Sequence, residues 1–203
     1  MSDGVVQWLT EGDPAIRWQT ERDLHDKGTR TWRATREAVD REGWGRRLLD
    51  EQDPGGTWGN GLYTPKWTST TYTLVLLRRL GMPPSNESAI AGCRRLLDDA
   101  DWHEGGVSYW ARHAYAERCV NGMVLAVCSH FDVADRRIDS IAELLVNVSM
   151  ADGGWNCEDR RGATHSSFHT TISVLEGLLD WKRSTGSTEA DPALARGHEF
   201  LLE

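Results

Sequence analysis

Three stretches decide how this chain is read: LLDEQDPGGTWGN (48–60), LLDDADWHEGGVSYW (96–110) and LLVNVSMADGGWNC (144–157). Each carries a glycine pair, Gly55–Gly56, Gly105–Gly106 or Gly153–Gly154, followed by a tryptophan, Trp58, Trp110 or Trp155. The pairs recur at spacings of 50 and 48 residues. A Leu-Leu amphipathic stretch precedes each pair, and a loop and an apolar segment follow it. Self-similarity at a fixed period of this length marks a repeat architecture, in which each unit buries its apolar face on its neighbours.

The segments between the glycine pairs read as helices of two kinds. In RRIDSIAELLVNVS (136–149), Ile138, Ile141, Leu144, Leu145 and Val148 fall on one stripe, and Ile90, Cys93, Leu96 and Leu97 do the same in the preceding repeat. TTYTLVLLRRLG (70–81), CVNGMVLAVCSHF (119–131) and TTISVLEGLLDW (170–181) are apolar on most faces. Striped helices belong to an outer layer and apolar ones to an inner layer. Asp13–Pro14 predicts an N-cap with proline at the first helical position. No alternation of period two points to a strand. Paired helices in a repeat form either an open solenoid or a closed ring.

At 203 residues, a single domain over 1–203 with a proper core is expected. Ten tryptophans compensate for a lean 39% hydrophobic content. A net charge of −8 argues against nucleic acid as a partner, because phosphate binding rests on Lys and Arg. There is no apolar run of about 18 residues for a transmembrane segment. The N-terminal MSDGVVQWLTEGD lacks the charged and apolar regions of a secretory signal, so a cytoplasmic address is expected by default. Cys93, Cys119, Cys128 and Cys157 then read as thiols or metal ligands. Cys93 and Cys128, on apolar helix faces, are expected in the core.

The QDPGGTW stretch (52–58) fits the Gln-x3-Gly-x-Trp core of the QW motif. Together with YTPKWTSTTYTLVLLRRLG (63–81) and GGWNCEDRRGATHSSFHTTISVLEGL (153–178), it makes the chain resemble the terpenoid cyclase/protein prenyltransferase superfamily, and within it bacterial prenyltransferase/squalene-oxidase QW-repeat proteins. The likeness covers roughly 43–203. It implies an all-α fold, an α/α toroid of inner and outer helices around an apolar cavity. Six helix pairs at this period need about 300 residues, so a partial or truncated ring is expected here. The second and third repeats lack the motif's glutamine. An Asp-x-Asp-Asp motif for proton-initiated class II cyclisation is absent, and the acidic runs at 98–101 and 132–139 do not replace it.

Protein prenyltransferases hold zinc with an Asp-x-Cys at the start of one inner helix and a His at the start of a later one. The resemblance carries this onto Glu117 and Cys119 in ERC, with Glu in place of Asp, and onto His169 in FHTTISVLEGL. The residues support the same reading. Thirteen residues beyond the glycine pairs stand Ser69, Cys119 and Ser167, so Cys119 and the His165–His169 turn occupy corresponding places in adjacent repeats. Cys157 lies in the loop that feeds the second of those helices. Cys119, Cys157, His169 and either His165 or Glu117 would supply four-coordinate N/S ligation to zinc. The competing reading makes the cysteines small hydrophobes and the histidines helix caps. Lys66, Trp67, Tyr72, Trp110, Arg112 and Phe168 are candidates to contact an isoprenoid or other apolar substrate. Arg118, Arg160 and Arg161 join Lys66 and Arg112 as cations that could meet a prenyl diphosphate. The expected activity is zinc-dependent prenyl transfer. A non-catalytic helical-repeat binding module with a structural zinc is the alternative.

Overall fold

The computed structural model describes residues 3–25, 27–110 and 114–203. Among them are ten α-helices and one two-stranded hairpin, so the all-α expectation holds at the level of class. None of these helices is long and apolar enough to cross a membrane. The backbone falls into two compact units, Met1–Ala91 and Gly92–Glu203.

The first unit contains α1 (Asp3–Thr10), α2 (Pro14–Asp23), α3 (Thr29–Glu37), α4 (Gly43–Asp50), α5 (Thr70–Leu80) and the first residues of α6 (Glu87–Asp98). As expected, α2 opens with Pro14, and the Asp13 carboxylate accepts the Ala15 N–H at 2.9 Å. The other Asp13 oxygen accepts the Trp44 N–H at 2.7 Å, so one side chain serves the starts of α2 and α4. Trp18 is buried and its indole donates to Leu80 O at 2.9 Å, where α5 ends in a left-handed Gly81. A free helix-end carbonyl is thereby satisfied.

The second unit contains the rest of α6, β1 (Asp101–His103), β2 (Gly106–Ser108), α7 (Arg118–His130), α8 (Arg137–Asn147), α9 (Phe168–Thr185) and α10 (Asp191–Leu202). The hairpin pairs Trp102 with Val107 across Glu104 and Gly105, whose φ values of 55° and 91° suit the mirror-image turn that matches strand twist. Three-residue strands are too short to show an alternating pattern, which is why the sequence does not announce them.

The two apolar helices α7 and α9 run side by side in the same direction, with Gly122 against Ser173 and Val174 and Gly177 against Gly122 and Leu125. A Cβ on Gly122 would stand 2.5 Å from Ser173 O, so the absence of a side chain sets this close approach. The stripe on α8 is buried as its spacing predicts, through Ile138, Ile141, Leu144 and Leu145. Cys93 and Cys128 are fully buried.

The glycine loops share one construction, displaced by a residue from the alignment of the pairs. Gly56, Gly105 and Gly153 take the left-handed conformation, with φ of 85°, 91° and 95°. Two residues after each, a buried backbone N–H donates to a side chain at the start of the next apolar helix. Trp58 donates to Thr70 Oγ1 at 3.0 Å, Val107 to Asn121 Oδ1 at 2.7 Å, and Trp155 to Thr171 Oγ1 at 3.0 Å. The Trp58 and Trp155 indoles each donate to a carbonyl ten residues upstream, Leu48 O at 2.7 Å and Leu145 O at 2.8 Å. In the middle repeat Val107 holds the tryptophan's place. Tyr109 and Trp102 serve Leu96 O and Leu97 O instead, at 2.9 and 3.0 Å. Trp110 is therefore not the counterpart of Trp58 and Trp155.

Gly122→Ala is expected to destabilise the protein by about 1–3 kcal/mol, because overpacking against a backbone outweighs alanine's better helix propensity. Urea denaturation followed by circular dichroism measures it. Unchanged stability would contradict the close approach of α7 and α9.

Candidate metal centre

The loop between Trp155 and α9 is closed by its own polar groups. Asn156 Nδ2 donates to His165 O at 2.8 Å, Asn156 Oδ1 accepts the Glu158 N–H at 2.9 Å, and Ser167 N–H returns to Trp155 O at 2.8 Å. Asp152 accepts both the N–H and the hydroxyl of Ser166. These bonds hold Cys157 against the starts of two helices. Its Sγ accepts the Cys119 N–H of α7 at 3.1 Å and faces Thr170 Oγ1 of α9 at 3.5 Å.

Arg118, next to Cys119, ties the same loop to α7. Its guanidinium is almost fully buried and pairs with Asp159 at 2.8 Å and Glu104 at 3.4 Å, and it also donates to Ala116 O at 2.8 Å. Arg160 pairs with Glu104 as well, and Arg161 with Glu158 at 3.2 Å. Each of these three arginines therefore has a carboxylate partner, but Arg118 alone is buried, while the Arg160 and Arg161 side chains are half exposed. A paired, buried arginine positions backbone; it does not offer a free charge.

Glu117, Cys119 and Cys157 converge. One ligand atom from each lies within 4.8 Å of the others, and all three residues are half-buried. Among the described residues no other such group of three occurs. One carboxylate and two thiols form a donor set suited to zinc or another thiophilic ion. The thiols share their protons unequally. The Cys119 S–H, the Thr170 hydroxyl and the Cys119 N–H all stabilise the Cys157 thiolate and lower its pKa, in spite of burial. Cys119 is pushed well above the ordinary thiol range by its bond to Cys157, then by burial and the neighbouring Glu117. The first proton therefore leaves Cys157, at the N-termini of two helices, where thiolates are favoured.

His165 and His169 are exposed and lie outside this convergent group. In the loop register His169 stands two residues before Thr171, as Cys119 stands two before Asn121. Among the proposed substrate contacts, Lys66 and Trp67 are exposed and Tyr72 is half-buried in the first unit. There the rings of Trp67, Tyr72 and Tyr63 form a cluster, with Tyr72 5.1 Å from Trp67 and 5.2 Å from Tyr63. Phe168, 56% exposed, opens α9 and lies 5.2 Å from Phe200. Trp110 is half-buried, and Arg112 lies outside the described residues. Sequence reasoning did not single out Thr170, Asp159 or Glu104. The only available signal was the polar run at the start of α9, since pairing across 41 residues, as in Arg118–Asp159, leaves no local pattern.

No family model, curated protein or solved structure matches the chain.

Iodoacetamide near neutral pH is expected to label Cys157 at least about tenfold faster than Cys119, read by peptide mass mapping. Thr170→Val removes a donor to the thiolate and should move the Cys157 reactivity midpoint up by about 0.5–1 pH unit. Equal labelling of the two cysteines would contradict the unequal sharing of protons.

Proposed function

We propose that the chain is a zinc-binding helical-repeat protein of the terpenoid cyclase/prenyltransferase type, an arc of an α/α toroid, that transfers prenyl groups. The observation that carries this reading is the convergence of Glu117, Cys119 and Cys157 at the starts of two parallel apolar helices. The recurring glycine loops support the repeat architecture behind it. Zinc, when bound, supplies charge to hold a thiol substrate as thiolate, or acts as a Lewis acid.

Glu117, Cys119 and Cys157 would be the ligands, which leaves a fourth position for substrate, the arrangement of catalytic rather than structural sites. Thr170 and the Cys119 N–H favour the Cys157 thiolate. Arg118 fixes the distance between the Cys157 loop and α7 through Asp159 and Glu104. Phe168 offers an exposed ring on the same unit for an apolar chain.

The test is metal content by mass spectrometry on full-length protein purified without a His-tag under reducing conditions. About one zinc per chain is expected, lost in Cys119→Ser and Cys157→Ser with helicity intact, and retained in His169→Ala. Loss in His169→Ala would make that residue a fourth ligand and turn the reading to a structural zinc in a binding module. Retention licenses a screen of prenyl diphosphates with thiol acceptors. Folded wild type that takes up no zinc overturns the proposal.

A further inference from the structure

A second feature, chemically opposite to the metal centre, lies in the first unit. A cleft of about 480 Å³ is lined by Arg33, Arg36, Glu37, Asp40 and Arg41, from α3 and the turn after it, and by the Pro83–Ser85 segment. That volume falls in the range of small-molecule sites.

Arg33 and Arg36 are three apart on α3 and so share a face. Among the described residues, neither has a carboxylate within ion-pair distance. Arg33 lies over the Trp32 ring at 5.4 Å, and Arg36 lies over Trp18 at 5.6 Å. Arg36 Nε donates to Gly81 O at 2.9 Å, which aims the side chain but leaves its charge uncompensated. Burial first, then the charges of Arg22 and Arg33, lower the Arg36 pKa. Arg22 is already paired with Asp23. Cations held together by indole faces and not by carboxylates leave an electrostatic deficit that an anion relieves. The acidic residues of the cleft do not fill this role. Asp40 lines the cleft with its side chain 31% exposed, and its Oδ1 stands 4.0 Å from Arg41 Nε, too far for a hydrogen bond.

We propose that this cleft binds a small phosphorylated alcohol or amine, with Arg33 and Arg36 donating to the phosphoryl oxygens and Asp40 accepting from the ligand's hydroxyl or amino group. Guanidinium forks match a tetrahedral dianion better than point charges do. The partly exposed Asp40 carboxylate beside them selects a ligand that also carries a donor, in preference to free phosphate. The net charge of −8 makes extended polyanions such as nucleic acid poor occupants.

Isothermal titration calorimetry on the full chain, with glycerol 3-phosphate, inorganic phosphate and glycerol as probes, tests this. Glycerol 3-phosphate should bind saturably and more tightly than phosphate, with glycerol silent and affinity falling as NaCl rises. Arg33→Gln, at an exposed position, should weaken glycerol 3-phosphate at least tenfold, and Arg33→Lys less. Asp40→Asn should weaken glycerol 3-phosphate but leave phosphate within twofold. No saturable binding, or binding indifferent to Arg33→Gln, overturns the site. Cosedimentation with phosphatidic acid vesicles without binding of glycerol 3-phosphate overturns it in favour of a lipid headgroup. None of these readouts depends on the metal centre.

Discussion

The bond from a buried loop N–H to a side chain at the start of the following helix sets the terms for the rest of the chain. Each repeat must turn from the end of one helix into the start of another while its loop is buried, and buried backbone donors need partners. A left-handed glycine makes the turn. Two residues later the N–H points at the next helix, where Thr70, Asn121 or Thr171 receives it. An aromatic donor from the same loop reaches back to the last carbonyls of the preceding helix. One loop thus satisfies polar groups at two helix ends and fixes the position of both. The middle repeat shows that the requirement is chemical and not tied to one residue. Asparagine replaces threonine, and Tyr109 and Trp102 divide the work of one tryptophan.

The metal centre follows from that constraint. Because α7 and α9 are each launched from such a loop and touch through Gly122 and Gly177, their N-termini come level. Cys157, in the loop that feeds α9, then meets the first residues of α7. The Cys119 thiol, Thr170 and the Cys119 N–H favour its thiolate, and the Cys119 thiol is pushed the opposite way. Arg118 is the strut of this arrangement. Its burial is tolerated because Asp159, Glu104 and Ala116 O complete its hydrogen bonding.

Charge is divided between two places in a way that bears on ligands. Around the thiols Arg118, Arg160 and Arg161 are each matched by a carboxylate. On α3, by contrast, Arg33 and Arg36 rest on indole rings with no carboxylate in ion-pair distance among the described residues. The first setting suits a cation, whose ligands are thiolate and carboxylate, and the second suits an anion.

The sequence by itself determined the helical class, the repeat near 50 residues, the apolar and striped helices, the Asp13–Pro14 start and the buried placement of Cys93 and Cys128. All of these are local, because periodicity, caps and turn glycines act within one or two turns of chain. It also placed Cys119 near the corresponding turn of the next repeat, since repeats carry register. Only the tertiary structure decided which glycine of each pair turns the chain, because that depends on where the next helix supplies an acceptor. It alone drew Glu117, Cys119 and Cys157 together while leaving His165 and His169 exposed. It alone neutralised Arg118 with Asp159 and left Arg33 and Arg36 without carboxylates. Such pairings join residues tens of positions apart, and their energy depends on distance and burial, which a linear pattern does not encode.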